Sequence, residues 1–163
     1  MKLNDAANWA EIISAIAIVV SLIYVGVQVS DNTSATRSAS ASHANTEFIG
    51  WYEHLSSDPE IVDVWYRGVI EPENLTDQEF IRFIWLVHIV MLQFQNNYYL
   101  VEEGTLEKKV LDSIAITMTT IKGSAGFERY WGLRKKLFYP EYRMFIEDLM
   151  YNSQHKASPT YTQ

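Results

Sequence analysis

From Ile12 to Ser30 the sequence carries no charged residue, and most positions are Ile, Val, Ala or Leu. No other feature restricts the folding of the chain as much. Taken from Trp9 to Val29 the run is about 21 residues, or roughly 31 Å of helix at about 1.5 Å per residue. A bilayer's hydrocarbon core is about 30 Å thick. Trp9 and Tyr24 are of the type that settles at a membrane–water interface, with Tyr24 lying deeper than is usual for that role. The run predicts a transmembrane helix over 12–30, behind an N-terminal tail at 1–11. A cleaved signal peptide has an apolar run of about 7–15 residues followed closely by a small-residue site. Here Ala39-Ser40-Ala41 lies well past the end of the run, and Lys2 stands against Asp5 and Glu11 ahead of it. A fully apolar core helix would need enclosure on all sides, which one small remaining core can hardly supply.

The polar residues inside the run are ordered. Ser14, Ser21 and Gln28 recur every seven residues, which lines them along one stripe of the helix. Small and amide side chains on one stripe permit close approach of helices and hydrogen bonds between them, and a period of seven favours a left-handed crossing. The competing reading is that serine bonds its own backbone in lipid and Gln28 sits at the interface.

The rest of the chain has a globular composition: 48% hydrophobic and 20% charged, with ten Tyr, seven Phe and five Trp to fill a core. With 163 residues there is room for one domain of ordinary size. The absence of Cys removes disulfides, thiolate metal sites and Cys nucleophiles. The net charge of −7 argues against general nucleic-acid binding, so the expected partners are the lipid bilayer, a second copy or a larger membrane complex, with no nucleic acid. The charge is uneven, with 3 basic against 13 acidic residues over 31–107 and 9 against 5 over 108–163. Such halves attract each other within one domain or between subunits.

Ala41, Ala44, Phe48, Trp51 and Leu55 follow the 3,4,3,4 spacing of a core-facing helix. The apolar helix is therefore expected to leave the membrane, pass through a Ser/Ala-rich stalk and run to about Leu55. Ser57-Asp58-Pro59-Glu60 is a helix start, and the helix behind it presents Ile61, Val62, Trp65 and Val69. After a turn at Glu71-Pro72-Glu73-Asn74, Thr76-Asp77-Gln78-Glu79 matches a capping box. It opens a central helix with Phe80, Ile84, Val87, Met91, Phe94, Tyr98 and Val101 on its core stripe. Phe83 to Val101 carries no formal charge, but Gln93, Gln95, Asn96 and Asn97 make a second span costly. Three more helices follow. The first, over 106–122, offers Val110, Ile114, Met118 and Ile121. The next carries Phe127, Tyr130, Trp131 and Phe138, and the last, from Pro140, shows Tyr142, Phe145, Ile146 and Leu149. No period-two alternation is sustained, so the fold class is all-α: a transmembrane helix extending into a small soluble bundle of about five further helices. The soluble domain covers 31–153 and a flexible tail 154–163.

No catalytic constellation stands out, and the chain is expected not to be an enzyme and to hold no cofactor or metal. His88 lies beside the core stripe near Gln95 and Tyr99, an arrangement open either to a pocket or to a hydrogen-bonded core histidine. His43 and Glu47 are spaced as a metal pair, but structural sites usually need four ligands. Gly123-Ser124-Ala125-Gly126 lacks the spacing of a nucleophile elbow and reads as a helix linker capped by Ser124. Asn32-Thr33-Ser34 and Asn74-Leu75-Thr76 fit the glycosylation pattern, which is short enough to arise by chance. Arg129, Arg134, Lys135, Lys136 and Arg143 are interleaved with Tyr130, Trp131, Phe138 and Tyr139. Such a mixture suits an anionic lipid surface, or else the rings face the core and the charges are solvated.

Ser21-Leu22-Ile23-Tyr24-Val25-Gly26-Val27-Gln28-Val29 with Asn32-Thr33, and Gly126-Phe127-Glu128-Arg129-Tyr130-Trp131 with Leu137-Phe138-Tyr139-Pro140-Glu141-Tyr142-Arg143-Met144-Phe145, carry a resemblance. The chain resembles a widespread family of uncharacterised bacterial proteins with one N-terminal transmembrane helix and a helical C-terminal domain. The resemblance implies a bacterial inner-membrane location and carries no catalytic residue over to this chain. It differs from that family in having Ser30-Asp31, rather than basic residues, directly after the run. Counting Lys and Arg alone favours a cytoplasmic soluble domain. The expected function is a membrane-anchored scaffold or accessory subunit that self-associates or binds a partner membrane protein; the alternative is a ligand-binding or sensory domain with a pocket near His88.

Overall fold

A computed structural model describes residues 3–152, with side-chain surroundings from residue 8 on. Among the described residues there is no strand, and six α-helices succeed one another: α1 (Leu3–Ser56), α2 (Pro59–Ile70), α3 (Asp77–Glu102), α4 (Lys108–Met118), α5 (Ala125–Arg134) and α6 (Pro140–Glu147). The chain is all-α. The tail expected at 154–163 lies outside the described residues.

The 54-residue helix α1 runs unbroken through the apolar segment and the Ser/Ala stalk. It begins at Leu3, so residues 3–11, expected as a tail, are helical. The polar residues do not interrupt it because their hydroxyls turn back on the helix. Ser14 donates to the Ala10 carbonyl and Thr33 to that of Val29, both at 2.8 Å, and Thr36 to that of Asn32 at 2.9 Å. Bonds of this kind satisfy a hydroxyl without a partner chain. The most apolar eighteen-residue window of α1 has a mean hydropathy of 2.5 and no buried residue, so this helix is long and apolar enough to cross a membrane.

The chain divides into two compact units, 1–39 and 40–163. Every side chain from residue 8 through Ala39 is exposed, and burial starts at Ser40. The second unit therefore begins inside α1 and not at its exit from the apolar run. From there the predicted stripe is observed: Ala44, Phe48 and Trp51 are buried, with Ala41 and Leu55 half-buried.

Local signals in the sequence set the helix boundaries. The Asp58 carboxylate accepts from the Glu60 amide at 2.8 Å, with Pro59 in the first turn. The capping box closes in both directions: Thr76 Oγ1 accepts from the Glu79 amide at 3.3 Å, and Glu79 Oε2 accepts from the Thr76 amide at 2.8 Å. The Ser124 hydroxyl caps α5 by accepting from the Phe127 amide at 3.2 Å. Arg67 bridges α2 to the start of α3, meeting Asp63 at 2.7 Å and Glu79 at 2.5 Å. The bond from Arg67, with the Thr76 cap, holds the Glu79 carboxyl down at about 2.

Helix α3 is the centre of the second unit, burying Phe83, Ile84, Leu86, Val87, Val90, Met91, Phe94 and Asn97. Side chains of other helices bond to its backbone. The Trp51 indole donates to the Leu86 carbonyl at 3.3 Å, Tyr142 to that of Met91 at 2.9 Å and Tyr139 to that of Gln95 at 3.1 Å. Aromatic packing joins α5 to the segment just ahead of α6, with Trp131 stacked between Phe127 and Phe138 at centroid distances of 5.9 and 5.8 Å. The expected stripes hold at Trp65, Val69, Ile114, Met118 and Ile121, and each differs at one position. In α2 Val64 is buried and Val62 exposed, and in α4 Leu111 is buried where Val110 is half-buried. The backbones of α2 and α5 meet at two glycines, Gly68 and Gly126.

Candidate functional site

The three residues expected around a pocket are given different surroundings. His88 is half-buried, its Nδ1 2.7 Å from the Tyr130 hydroxyl and its ring centroid 5.4 Å from that of Phe138. The Gln95 side-chain oxygen accepts from the Tyr139 amide at 3.4 Å, while Tyr99 is exposed. His88 is thus a hydrogen-bonded histidine at the α3–α5 contact, with the rings of Tyr130 and Phe138 beside it.

Burial, with the nearby Arg134 charge, lowers the His88 pKa from the usual 6.5. A histidine with a depressed folded value favours the neutral ring in the folded state, which here shares a hydrogen bond with the Tyr130 hydroxyl. Its stabilising contribution is complete above about pH 6.5 and is lost as the pH falls through the depressed value. Thermal unfolding followed against pH is expected to show this acid loss. In His88→Gln, which keeps an acceptor and does not titrate, that part of the acid dependence disappears. An identical pH profile for both chains refutes the assignment.

Along α1, Ser14, Ser21 and Gln28 are all exposed, as an intermolecular seam requires. The Ser14 hydroxyl is already bonded within its own helix, so it brings small size to such a seam more than bonding capacity. His43, exposed, and Glu47, half-buried, form an i,i+4 pair at 3.4 Å.

The basic–aromatic segment divides cleanly. Tyr130, Trp131 and Phe138 point into the core. Arg129 donates to the Pro72 carbonyl at 3.2 Å and lies 3.9 Å over the Phe80 ring. Lys135 and the Trp131 indole both reach Glu147 at 3.2 Å. Arg134 and Arg143 are half-buried, and Lys136 is exposed. The rings therefore serve the core, and beside Lys136 this segment exposes Arg129, Glu141 and the aliphatic side chains of Leu133 and Leu137, with Met144 next to it.

Two features stand out in the structure that the periodicity does not disclose. The first is an uncovered face of α3. Ile81, Trp85, Ile89, Leu92 and Tyr99 are between 44 and 62% exposed, and they recur at helical spacing over about 27 Å at about 1.5 Å per residue. The second is a partly enclosed cavity of about 190 Å³ between α1, α2, α3 and the end of α4, lined by the rings of Phe48, Trp51, Tyr52 and Trp65. Nearby, the α1–α3 contact is polar. The Gln93 amide reaches the Glu47 carbonyl at 3.5 Å, and Asn97, one turn on, is fully buried with neither amide atom bonded.

Fold and surface together define a helical bundle continuous with a helix long enough to cross a membrane. Set against protein-family models, curated proteins and solved structures, the chain has no match.

Proposed function

We propose that the protein is a single-pass membrane-anchored scaffold, or accessory subunit, whose helical domain self-associates along the uncovered face of α3. The observation that carries this reading is the stripe of Ile81, Trp85, Ile89, Leu92 and Tyr99. No formal charge occurs between Arg82 and Glu102. A two-fold interface sets a surface against its own copy, and an uncharged apolar stripe meets itself without like-charge repulsion.

Magnitudes say how strong the contact is. The exposed side chains of the stripe offer roughly 500 Å² of apolar surface, within the range where patches on monomers are functional. A standard interface uses about 800 Å² per partner. The stripe alone supports a weak dimer, and a second contact along α1 at Ser14, Ser21 and Gln28 supplies the remainder, each interhelical bond in lipid adding about 0.6–2 kcal/mol. The bilayer is the first partner in this reading, and it also confines copies to one plane. In this reading the Lys and Arg balance favours the cytoplasmic side for the domain.

The chain has no Cys, so one introduced cysteine gives an unambiguous disulfide readout in native membranes. Ile89→Cys is expected to form a crosslinked dimer on mild oxidation, and Lys136→Cys, exposed but outside the stripe, is not. Trp85→Asp in the Ile89→Cys chain removes a central aromatic, a change worth about 2 kcal/mol or more at an interface, and the dimer band should fall accordingly. A chain that is monomeric in membranes, or that crosslinks equally at both positions, refutes self-association through α3. A crosslink from Ile89→Cys to a different membrane protein assigns the stripe to a partner instead.

A further inference from the structure

The cavity between α1, α2, α3 and α4 has the character of a ligand site. It is lined by Phe48, Trp51, Tyr52 and Trp65, with Thr117 and Thr120 among the remaining lining residues, and no charged side chain lines it. We propose that it binds a neutral aromatic small molecule of one ring or two fused rings, one per chain. This inference is independent of self-association, because the cavity and the Ile81–Tyr99 stripe use different faces of α3: Val90 lines the cavity, and Ile89 belongs to the stripe.

Size, shape and polarity each restrict the occupant. An apolar cavity of about 150 Å³ holds benzene, so a cavity of about 190 Å³ takes a ring system modestly larger. The walls are aromatic and mutually perpendicular: the Trp51 and Trp65 rings lie 5.1 Å apart at 77°. They present an edge and a face at one place, and aromatic guests prefer offset or edge-to-face neighbours. A flexible alkyl chain gains nothing from that arrangement. A carboxylate or ammonium entering here would lose its hydration with no opposite charge to meet it, which excludes charged relatives of the same ring. The hydroxyls of Thr117 and Thr120 allow one polar atom, such as a ring N–H or a phenol, to be hydrogen-bonded on entry.

The cavity also has a place in the chain's architecture. Phe48, Trp51, Tyr52 and Leu55 all belong to α1, the helix that continues without a break into the apolar segment. A guest in the cavity therefore packs directly on that helix.

The test uses the full chain in lipid nanodiscs and fluorine NMR with 5-fluoroindole as the probe. Empty nanodiscs define the signal of probe dissolved in lipid. The expected result is an additional, saturable resonance corresponding to one probe per chain. The anionic analogue 5-fluoroindole-3-acetate is expected to bind at least tenfold more weakly. Thr120→Phe places a ring in the cavity and should abolish the bound resonance while the helical circular dichroism is retained. Thr117→Phe fills the same space and serves if the first variant does not fold. The proposal is overturned if no saturable resonance appears, if the anion binds as well as the neutral probe, or if the resonance survives in a folded cavity-filled variant.

Discussion

Gly126→Ala is expected to destabilise the helical domain by about 3 kcal/mol, the upper end of overpacking costs, and to lower the thermal midpoint by roughly 10 °C. Gly126 is buried in the first turn of α5, where a Cβ would lie against the Gly68 carbonyl oxygen, 2.8 Å from Val69 Cα and 2.9 Å from the Gly68 carbonyl carbon. These are backbone atoms of α2 and have no rotamer to yield. The helices must separate, and with α5 go the buried rings of Phe127, Tyr130 and Trp131. Alanine's better helix propensity returns at most about 1 kcal/mol. Gly68→Ala is also expected to destabilise, because the three atoms nearest to a Cβ there all belong to the buried Phe83 ring. Gly132→Ala in the same helix as Gly126 meets nothing within 4 Å and should stabilise by about 0.4–1 kcal/mol. Circular dichroism melts of the three variants check the order. Equal midpoints for Gly126→Ala and Gly132→Ala refute the close α2–α5 contact.

That contact illustrates which parts of the structure the sequence discloses. Signals confined to one helix are legible. The 3,4 rhythm of Ala44, Phe48 and Trp51 locates a buried stripe, and Asp58, Thr76 and Ser124 locate helix starts by their own capping chemistry. Gly126 reads as part of a linker because its role depends on Gly68, 58 positions earlier. His88 is similar: its neighbour on the helix is Gln95, but its hydrogen bond is to Tyr130 on α5. In α2 the rhythm of Ile61, Trp65 and Val69 is kept, but Val64 rather than Val62 lies on the buried side.

The uncovered face of α3 is hidden from the sequence for a further reason. Between Phe83 and Val101 apolar residues occupy every side of the helix. The predicted stripe locates Ile84, Val87, Met91 and Phe94 in the core, but among the apolar residues outside it nothing tells a covered face from an open one. Phe83 and Trp85 are equally plausible core residues on paper; one is buried and the other is 62% exposed. The cavity is less legible still, since it is the space left where residues of four helices fail to close.

Val19→Asp with Ile23→Asp is expected to release the full chain from membranes while leaving its helical domain folded. Between Ile12 and Ser30 the chain has eleven Ile, Leu and Val residues, each favouring insertion by about 0.3–0.6 kcal/mol, or roughly 3–7 kcal/mol together. An aspartate near the middle of a span opposes insertion by about 2.5–3.5 kcal/mol, and two of them offset the whole advantage. The unaltered chain should pellet with membranes and resist carbonate extraction, and the double variant should not. The same variant separates anchoring from burial in a core. Val19 and Ile23 are 55 and 62% exposed, and burial in the domain starts only at Ser40. Aspartates at these positions touch none of the core, so the thermal midpoint of the domain should match that of the unaltered chain. A core helix carrying two carboxylates would unfold its domain instead. An unaltered chain found in the soluble fraction, or a double variant that still resists carbonate, refutes the anchor. Loss of the folded domain in the double variant assigns residues 12–30 to a core.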